Sequence, residues 1–488
     1  MLTIPLLING KEVHTSRILD ISSPSSGQVL HKASCATSTE IDQAISAAKA
    51  AFPAWSKTSP YERRDVFLKA ASIFESRIEE FVQYEMDEIA ATQFFAGSFD
   101  APTAINGLKD LAGRIVSLSG SLPQLGGDRG AVVVKEPYGV VLGIAPWYLL
   151  LIPKLMVQIL ILDIRNAGYI LGFRAISYAI AAGNTAILKG SETCPRVTHS
   201  IGKIFTEAGL PPGVLNIITA HPEDASDITT QLIASPAIKK VNFTGSTNVG
   251  RIIAKLCGEH IKPCLMELGG KAPAIVLEDA DLKLAAKEIA LGAFLNSGQI
   301  CMATERVIVH KSISKEFIDV FRETTKQIWP ESHVLISKAS WEKNKKLLDD
   351  AKKKGVEVLF GDQDASGDGQ LRLFPIALKG VTKEMDIYYT ESFGPSVAVL
   401  EVETDEEALE IANDTEYGLS SALFTKDLAR GLKIASAIES GAVHINSMSV
   451  HDEPNLPHGG TKSSGFGRFG AQGLEEWVRT KTITFPKW

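Results

Sequence analysis

Short runs of β-branched and aliphatic residues alternate with helical patterns along most of this chain, and that alternation restricts the fold more than any other feature. Candidate strands fall at 140–145, 185–188, 214–218 and 241–243, where Val, Ile and Leu cluster. Helical periodicity fills the gaps between the last three, and one helix closes at Ala208-Gly209 with glycine placed as its cap. Strands joined through helices run parallel and carry those helices on the faces of their sheet. A second series follows at 274–277, 307–310, 356–359, 397–402 and 442–445. The expected fold class is α/β, a Rossmann-type parallel sheet followed by a second α/β unit.

Local signals sharpen this outline. Thr37-Ser-Thr-Glu40 and Ser59-Pro-Tyr-Glu62 both have the form of a capping box, the second with proline at the first helical position. The Gly- and Ser-rich stretch 117–138 reads as an extended arm. The alternating segment 478–485 reads as a strand suited to pairing with such an arm on a partner subunit.

Composition removes several function classes. At 488 residues the chain has room for two or three domains. A net charge of −7 gives no electrostatic basis for nucleic-acid binding. Five cysteines, an odd number with no CxxC pair, argue for a reducing, cytoplasmic setting and against a disulfide framework or zinc site. The histidines lack metal-ligand spacing, so no metal is expected, and His451 and His458 read as loop residues. The first ten residues lack the basic leader and apolar core of a signal peptide. The apolar stretch 149–164 leaves only the eight residues 155–162 between Lys154 and Asp163. A span needs about 20 apolar residues, so no membrane is expected.

The chemistry concentrates between Glu267 and Cys301. Glu267-Leu-Gly-Gly-Lys271 places a carboxylate beside two glycines, and Asn296-Ser-Gly-Gln-Ile-Cys301 places a thiol after a glycine turn. Such neighbours let a nucleophile and a base approach one substrate, the pattern of covalent catalysis at a carbonyl. Upstream, Thr185-Ala-Ile-Leu-Lys189-Gly-Ser191-Glu192 ends a strand in a basic and an acidic residue, where a dinucleotide would lie. Lys189 suits a phosphate or ribose hydroxyl, and Glu192 suits an adenosine ribose and repels a 2′-phosphate, favouring NAD over NADP. Phe243-Thr-Gly245-Ser246 then opens a helix, an anion site for a pyrophosphate.

Assembled, these segments resemble the aldehyde dehydrogenase superfamily over nearly the whole chain. The resemblance rests on Ala145-Pro-Trp147, Lys189 to Glu192, Phe243 to Ser246, Glu267 to Lys271 and Gly298-Gln-Ile-Cys301. It continues in Glu391-Ser-Phe393-Gly-Pro395, Leu456-Pro-His-Gly-Gly460 and Ser464-Gly-Phe-Gly-Arg468. Cys301-Met-Ala-Thr-Glu-Arg306 and Val450-His-Asp-Glu-Pro454 look most like salicylaldehyde and vanillin dehydrogenases. The resemblance implies Cys301 as nucleophile, Glu267 as hydrolytic base and Asn166 as oxyanion donor. It implies Trp147, Lys189, Ser191, Glu192, Gly245, Ser246, Glu391 and Phe393 as cofactor residues. Retention of Glu267 favours hydrolysis over transfer to coenzyme A. The implied domains are an NAD-binding unit (1–116 and 139–266), a catalytic unit (267–455) and an oligomerisation arm (117–138 and 470–488). A homodimer or homotetramer acting on a small aldehyde is the implied assembly.

Two departures from the family pattern stand out. Pro146-Trp147 is followed by Tyr148 where the resemblance calls for asparagine, and the pattern resumes at Asn166-Ala-Gly. Removing 148–165 joins Trp147 to Asn166, so the block reads as a translated, unspliced intron or similar gene-model error. The alternatives are a genuine insertion, with Asn166 still reaching the site or Tyr148 replacing it, and a catalytically impaired dinucleotide-binding protein. Second, 328–336 is several residues shorter than the pattern and, with Pro330, Ser332 and flanking charges, reads as a surface loop with little effect on chemistry. Arg174 lies eight residues beyond Asn166, about two helical turns on, and is a candidate for meeting a ring hydroxyl or carboxylate of the substrate; an interdomain ion pair is its structural alternative.

Overall fold

The computed structural model describes residues 1–145, 167–361 and 371–486. Trp147, Asn166, the 148–165 block and the apolar stretch 149–164 lie outside the described residues.

Two sheets organise the chain. The first has eight strands in the order Gly465–Phe466, Cys264–Glu267, Ile238–Thr244, Val140–Ile144, Thr185–Lys189, Leu215–Ile218, Leu6–Ile8, Lys11–Val13. Its five inner strands are mutually parallel. Every residue of Val140–Ile144 and Thr185–Lys189 is buried, which is why these strands read as unbroken apolar runs. From Val140–Ile144 the chain builds outward first on one side and then, with Ile238–Thr244, on the other. That reversal opens a crevice at the carboxyl ends of the strands, where ligands of doubly wound sheets bind.

The second sheet runs Glu357–Phe360, Ile376–Lys379, Ser396–Val402, Thr304–His310, Ala272–Val276, Ser421–Phe424, Val443–Ile445, parallel except at its Glu357–Phe360 edge. The two sheets meet through a very short connection. Glu267 ends a strand of the first, and Ala272 begins a strand of the second. The chain from there to Phe294 is taken by Ala272–Val276 and helix Leu282–Phe294, after which Cys301 precedes Thr304–His310.

The capping boxes form as the sequence predicts. Thr37 and Glu40 close the start of helix Ser38–Trp55, and Ser59 and Glu62 that of Pro60–Ser76. Two expectations need correction. Strand Val478–Pro486 pairs antiparallel along its whole length with Arg129–Pro137 of the same chain, not of a partner. The 328–336 segment is not a surface loop: Leu335 and Ile336 are buried, and the Trp329 indole donates to the Ala290 carbonyl at 3.0 Å. The Ile336 N–H donates to Gln299 Oε1 at 3.0 Å, two residues from Cys301, so this segment supports the thiol turn.

Asn184 ties these parts together. Wholly buried, it accepts from the Gly139 N–H (3.0 Å) and donates to the carbonyls of Ala179 (3.0 Å) and Trp477 (2.8 Å). It thus joins a helix end, the start of a central strand and the root of the C-terminal strand. Asn184→Ala strands these buried groups, each at a cost of about 1–3 kcal/mol. A clear fall in the urea midpoint is the expected outcome, and an unchanged midpoint would show the clamp to be dispensable.

Candidate active site

Glu267 reaches its place because its strand is held on both sides, by Ile238–Thr244 (Thr244 opposite Glu267) and by Gly465. Its side chain is almost wholly buried and has three partners: Cys301 Sγ at 3.6 Å and His458 Nε2 at 3.1 Å, both on Oε1, and Arg174 Nη1 at 3.5 Å on Oε2. Burial pushes its pKa up, but the charge and hydrogen bond of His458, with Arg174 beyond them, outweigh that and hold it at about 2. The stability that this ionised group contributes is therefore present above the ordinary glutamate range and is lost as pH falls toward 2.

The turn before Cys301 is unusual. Asn296, Ser297 and Gly298 all adopt left-handed backbone, at φ 50°, 60° and 68°. A side chain at Gly298 would meet the Gly394 carbonyl oxygen at 2.3 Å, so the glycine is sterically required. Burial raises the Cys301 pKa well above the usual thiol range, and the nearby charges of Glu267 and Glu391 raise it further. The resting thiol is neutral, with a carboxylate placed to take its proton.

The tandem glycines after Glu267 are equally constrained. A Cβ on Gly269 would sit 2.7 Å from a Glu391 carboxylate oxygen, and one on Gly270 would sit 2.2 Å from the Cys301 carbonyl oxygen. The Gly270 N–H donates to Glu391 Oε1 at 2.8 Å. Burial lifts the Glu391 carboxyl, and Lys343 nearby draws it back down, leaving it above the ordinary range. Phe393 is buried and has left-handed backbone at φ 51°.

Arg174 lies on helix Gly168–Ala181. The start of that helix is pinned by two buried carboxyls that the sequence did not single out. Glu85 accepts from the Gly168 N–H, and Asp100 accepts from those of Tyr169 and Ile170. Arg174 Nη2 meets Asp452 Oδ2 at 2.5 Å, and its guanidinium lies 5.2 Å from the Phe469 ring centroid. The ion-pair alternative for Arg174 is what forms, between distant segments, and the side chain also lines a cleft. That cleft, about 480 Å³ and open to solvent, is walled by Leu108, Leu111, Ile170 and Phe173 and has Asp452 and His458 beside Arg174. His458 is not the mere loop residue that the sequence suggested. It lies in the Leu456–Gly460 motif, but nothing local pointed to its partner: its contact with Glu267 joins positions 191 residues apart.

The remaining candidates gather at the carboxyl ends of the first sheet. Lys189 and Glu192 are buried together, Nζ to Oε2 at 4.0 Å, and Ser191 Oγ lies 2.9 Å from Thr193 Oγ1. Burial lowers the Lys189 pKa to about 8 despite Glu192. Gly245 precedes helix Thr247–Glu259, and Ser246 caps it through the Val249 N–H. Among the described residues no group of acidic, His and Cys side chains could hold a metal ion, and no helix is long and apolar enough to cross a membrane.

A nucleophile-and-base pair beside a dinucleotide crevice defines a class. The sequence pattern of the aldehyde dehydrogenase family matches residues 12–162 and 165–483, and the chain belongs to that family. It is an NAD(P)-dependent aldehyde dehydrogenase whose relatives include enzymes of aromatic aldehydes. Vanillin dehydrogenase of Pseudomonas fluorescens is 40% identical over 99% of this chain and 98% of its own. Salicylaldehyde dehydrogenase of Pseudomonas putida is 37% identical over 94% and 93%. The crystal structure of the Pseudomonas putida G7 salicylaldehyde dehydrogenase with salicylaldehyde superposes at a TM-score of 0.92 and 35% identity, covering 100% of this chain and 98% of that one. The family match continues through 148–162, and the inert dinucleotide-binding alternative draws no support from these relatives.

Gly270 gives a direct test of the crowding behind the thiol. Gly270→Ala forces backbone apart at the Cys301 carbonyl, and overpacking of this kind costs about 1–3 kcal/mol. Urea denaturation is expected to show that loss, and an unchanged midpoint would show that the strand yields freely.

Proposed function

We propose that this protein oxidises an aromatic aldehyde to its carboxylic acid with NAD, through a thioester on Cys301. The observation that carries the reading is the Cys301–Glu267 contact at 3.6 Å, reached from an apolar-walled cleft through Arg174 and His458. As Cys301 Sγ bonds to the carbonyl carbon, its proton passes to Glu267, which a buried, neutral thiol requires. The Cys301 backbone N–H and, by family pattern, the Asn166 amide hold the oxyanion. A bound dinucleotide would supply the hydride acceptor for the carbonyl carbon. Glu267, once it has lost the thiol proton, takes a proton from water as the water oxygen attacks the thioester carbon; the C–S bond breaks to release the acid, and the leaving thiolate takes that proton to restore the Cys301 thiol.

The residues present fit that cofactor. The ammonium of Lys343, buried beside Glu391, makes no hydrogen bond among the described residues, which suits it to meet a ribose hydroxyl. Ser246 and Gly245 open a helix that suits a pyrophosphate. Lys189, Ser191 and Glu192 suit the adenosine ribose, and the buried Glu192 carboxylate disfavours a 2′-phosphate, which supports NAD over NADP. Glu391 and Phe393 suit the nicotinamide ribose and ring, with Trp147 assigned there by family pattern. Residues 1–116 with 139–266 serve as the cofactor unit and 267–455 as the catalytic unit. Exposed Leu122, Leu125 and Ile483 on the arm suit burial against a second copy in a homodimer or homotetramer. Five free cysteines suit a cytoplasmic setting.

Leu108, Leu111, Ile170 and Phe173 offer an aromatic ring more apolar surface than a methyl group can use, so kcat/KM for benzaldehyde-type substrates should exceed that for acetaldehyde at least ~10-fold. NADH formation from salicylaldehyde or vanillin is the measurement, made on the full chain and on one lacking 148–165. Activity in the shortened chain alone identifies 148–165 as foreign to the enzyme. Equal activity in both shows that the block is tolerated, and no aldehyde-dependent NADH from either removes the proposal.

A further inference from the structure

One carboxylate, sealed from solvent, has to accept two protons in each turnover of the reaction proposed above, on which this inference rests. The first comes from the Cys301 thiol as the S–C bond forms, and the second from water as the thioester opens. Glu267 must be emptied between the two. Among the described residues its side-chain partners are Cys301, Arg174 and His458. Cys301 is the source of the first proton, and a guanidinium has no acceptor. Of these described partners, only the imidazole of His458 is able to take a proton from Glu267.

The placement of His458 suits that task. Its Nε2 shares Glu267 Oε1 with the thiol, at 3.1 Å against 3.6 Å. Glu267 is 1% exposed, whereas the His458 side chain is 11% exposed and lines the cleft. The backbone of His458 is fixed by paired hydrogen bonds with Phe469, N–H to O at 3.1 Å and O from N–H at 2.8 Å. Gly459 follows, where a Cβ would meet the Gly467 carbonyl oxygen at 2.5 Å. The ring is therefore held between the buried carboxylate and water.

We infer that His458 relays protons from Glu267 to the cleft, acting as a positioning and relay residue of the general base. The proton moves from Glu267 Oε1 to Nε2 of the neutral imidazole and leaves by exchange with cleft water, restoring both groups. The titratable and charged groups facing His458 are Glu267, Arg174, Asp452 and Glu453 around the cleft, and His444 with His451, whose rings are 4.7 Å apart. Arg468, beside Phe469, turns its guanidinium to the Gly460 and Gly467 carbonyls. A protonated imidazole has no vacancy for a proton, so the relay needs the neutral ring.

His458→Gln keeps a hydrogen-bond donor for Glu267 and removes the relay. At pH 8 its kcat should fall at least ~10-fold with little change in aldehyde KM, and the gap to the unaltered enzyme should close toward pH 5. A loss of equal size at every pH would mean a structural role and overturn the relay, as would a kcat unchanged at pH 8. Alkylation of Cys301 by iodoacetamide, followed against pH by mass spectrometry, needs no aldehyde. The variant should lag about 10-fold above neutrality, and identical profiles would overturn the relay even if no aldehyde proved to be a substrate. Failure of the unaltered enzyme to oxidise aldehydes, with a lag in alkylation intact, would remove the dehydrogenase reading and leave the thiol–Glu267–His458 relay standing. Should the glutamine variant not fold, His458→Ala is assayed with and without added imidazole. Partial recovery by imidazole supports the relay, and none overturns it.

Discussion

The Lys271–Glu305 ion pair holds the site together. Its ammonium and carboxylate stand 2.5 Å apart, both shut away from solvent, where removing two charges from water costs several kcal/mol per ion. Hydrogen bonds offset that cost. Lys271 also donates to the Thr390 carbonyl at 2.8 Å, and Glu305 accepts from the backbone N–H groups of Ser392 and Phe393 at 2.8–3.0 Å. Three segments are thereby fixed: the connection between the sheets, the strand that follows Cys301, and the Glu391–Phe393 turn. Phe393 is held in a left-handed conformation that costs an ordinary residue about 1–2 kcal/mol. Glu391 is in turn delivered to the Gly270 N–H. Removing one partner would leave a buried charge unpaired and release the turn.

How much of this was legible in the sequence follows from the range over which each interaction acts. The inner parallel strands were readable because burial on both faces leaves continuous apolar runs, as at Val140–Ile144 and Ser396–Val402. Ser421–Phe424 was not read as a strand, and Gly465–Phe466 escaped because two residues give no pattern. The glycines at 269, 270 and 298 announced close approach, though not what approached. The partner of the C-terminal strand was misjudged because alternation fixes a strand and says nothing of which copy supplies its neighbour. The burial of 328–336 was hidden by Pro330 and charges around it, since only Trp329, Val334, Leu335 and Ile336 are buried there. Glu85 and Asp100 carry no local signature, and the motifs that contain Asp452 and His458 do not say what those side chains touch; each matters through a partner far away in sequence.

The same distances explain why Glu267 remains able to act. A guanidinium placed squarely on both carboxylate oxygens would lock a base in its ionised form and leave no lone pair for the thiol. Here Arg174 is drawn to Asp452 at 2.5 Å and reaches Glu267 only at 3.5 Å, on Oε2. Oε1 is left to Cys301 and His458, so the oxygen that faces the thiol is also the one with an outlet for its proton. Asp452 thus governs the base from the far side of the arginine, by competing for its charge. It comes from the same loop as His458, so one segment supplies both the restraint on Arg174 and the outlet from Glu267, and a shift of that loop would change the two together.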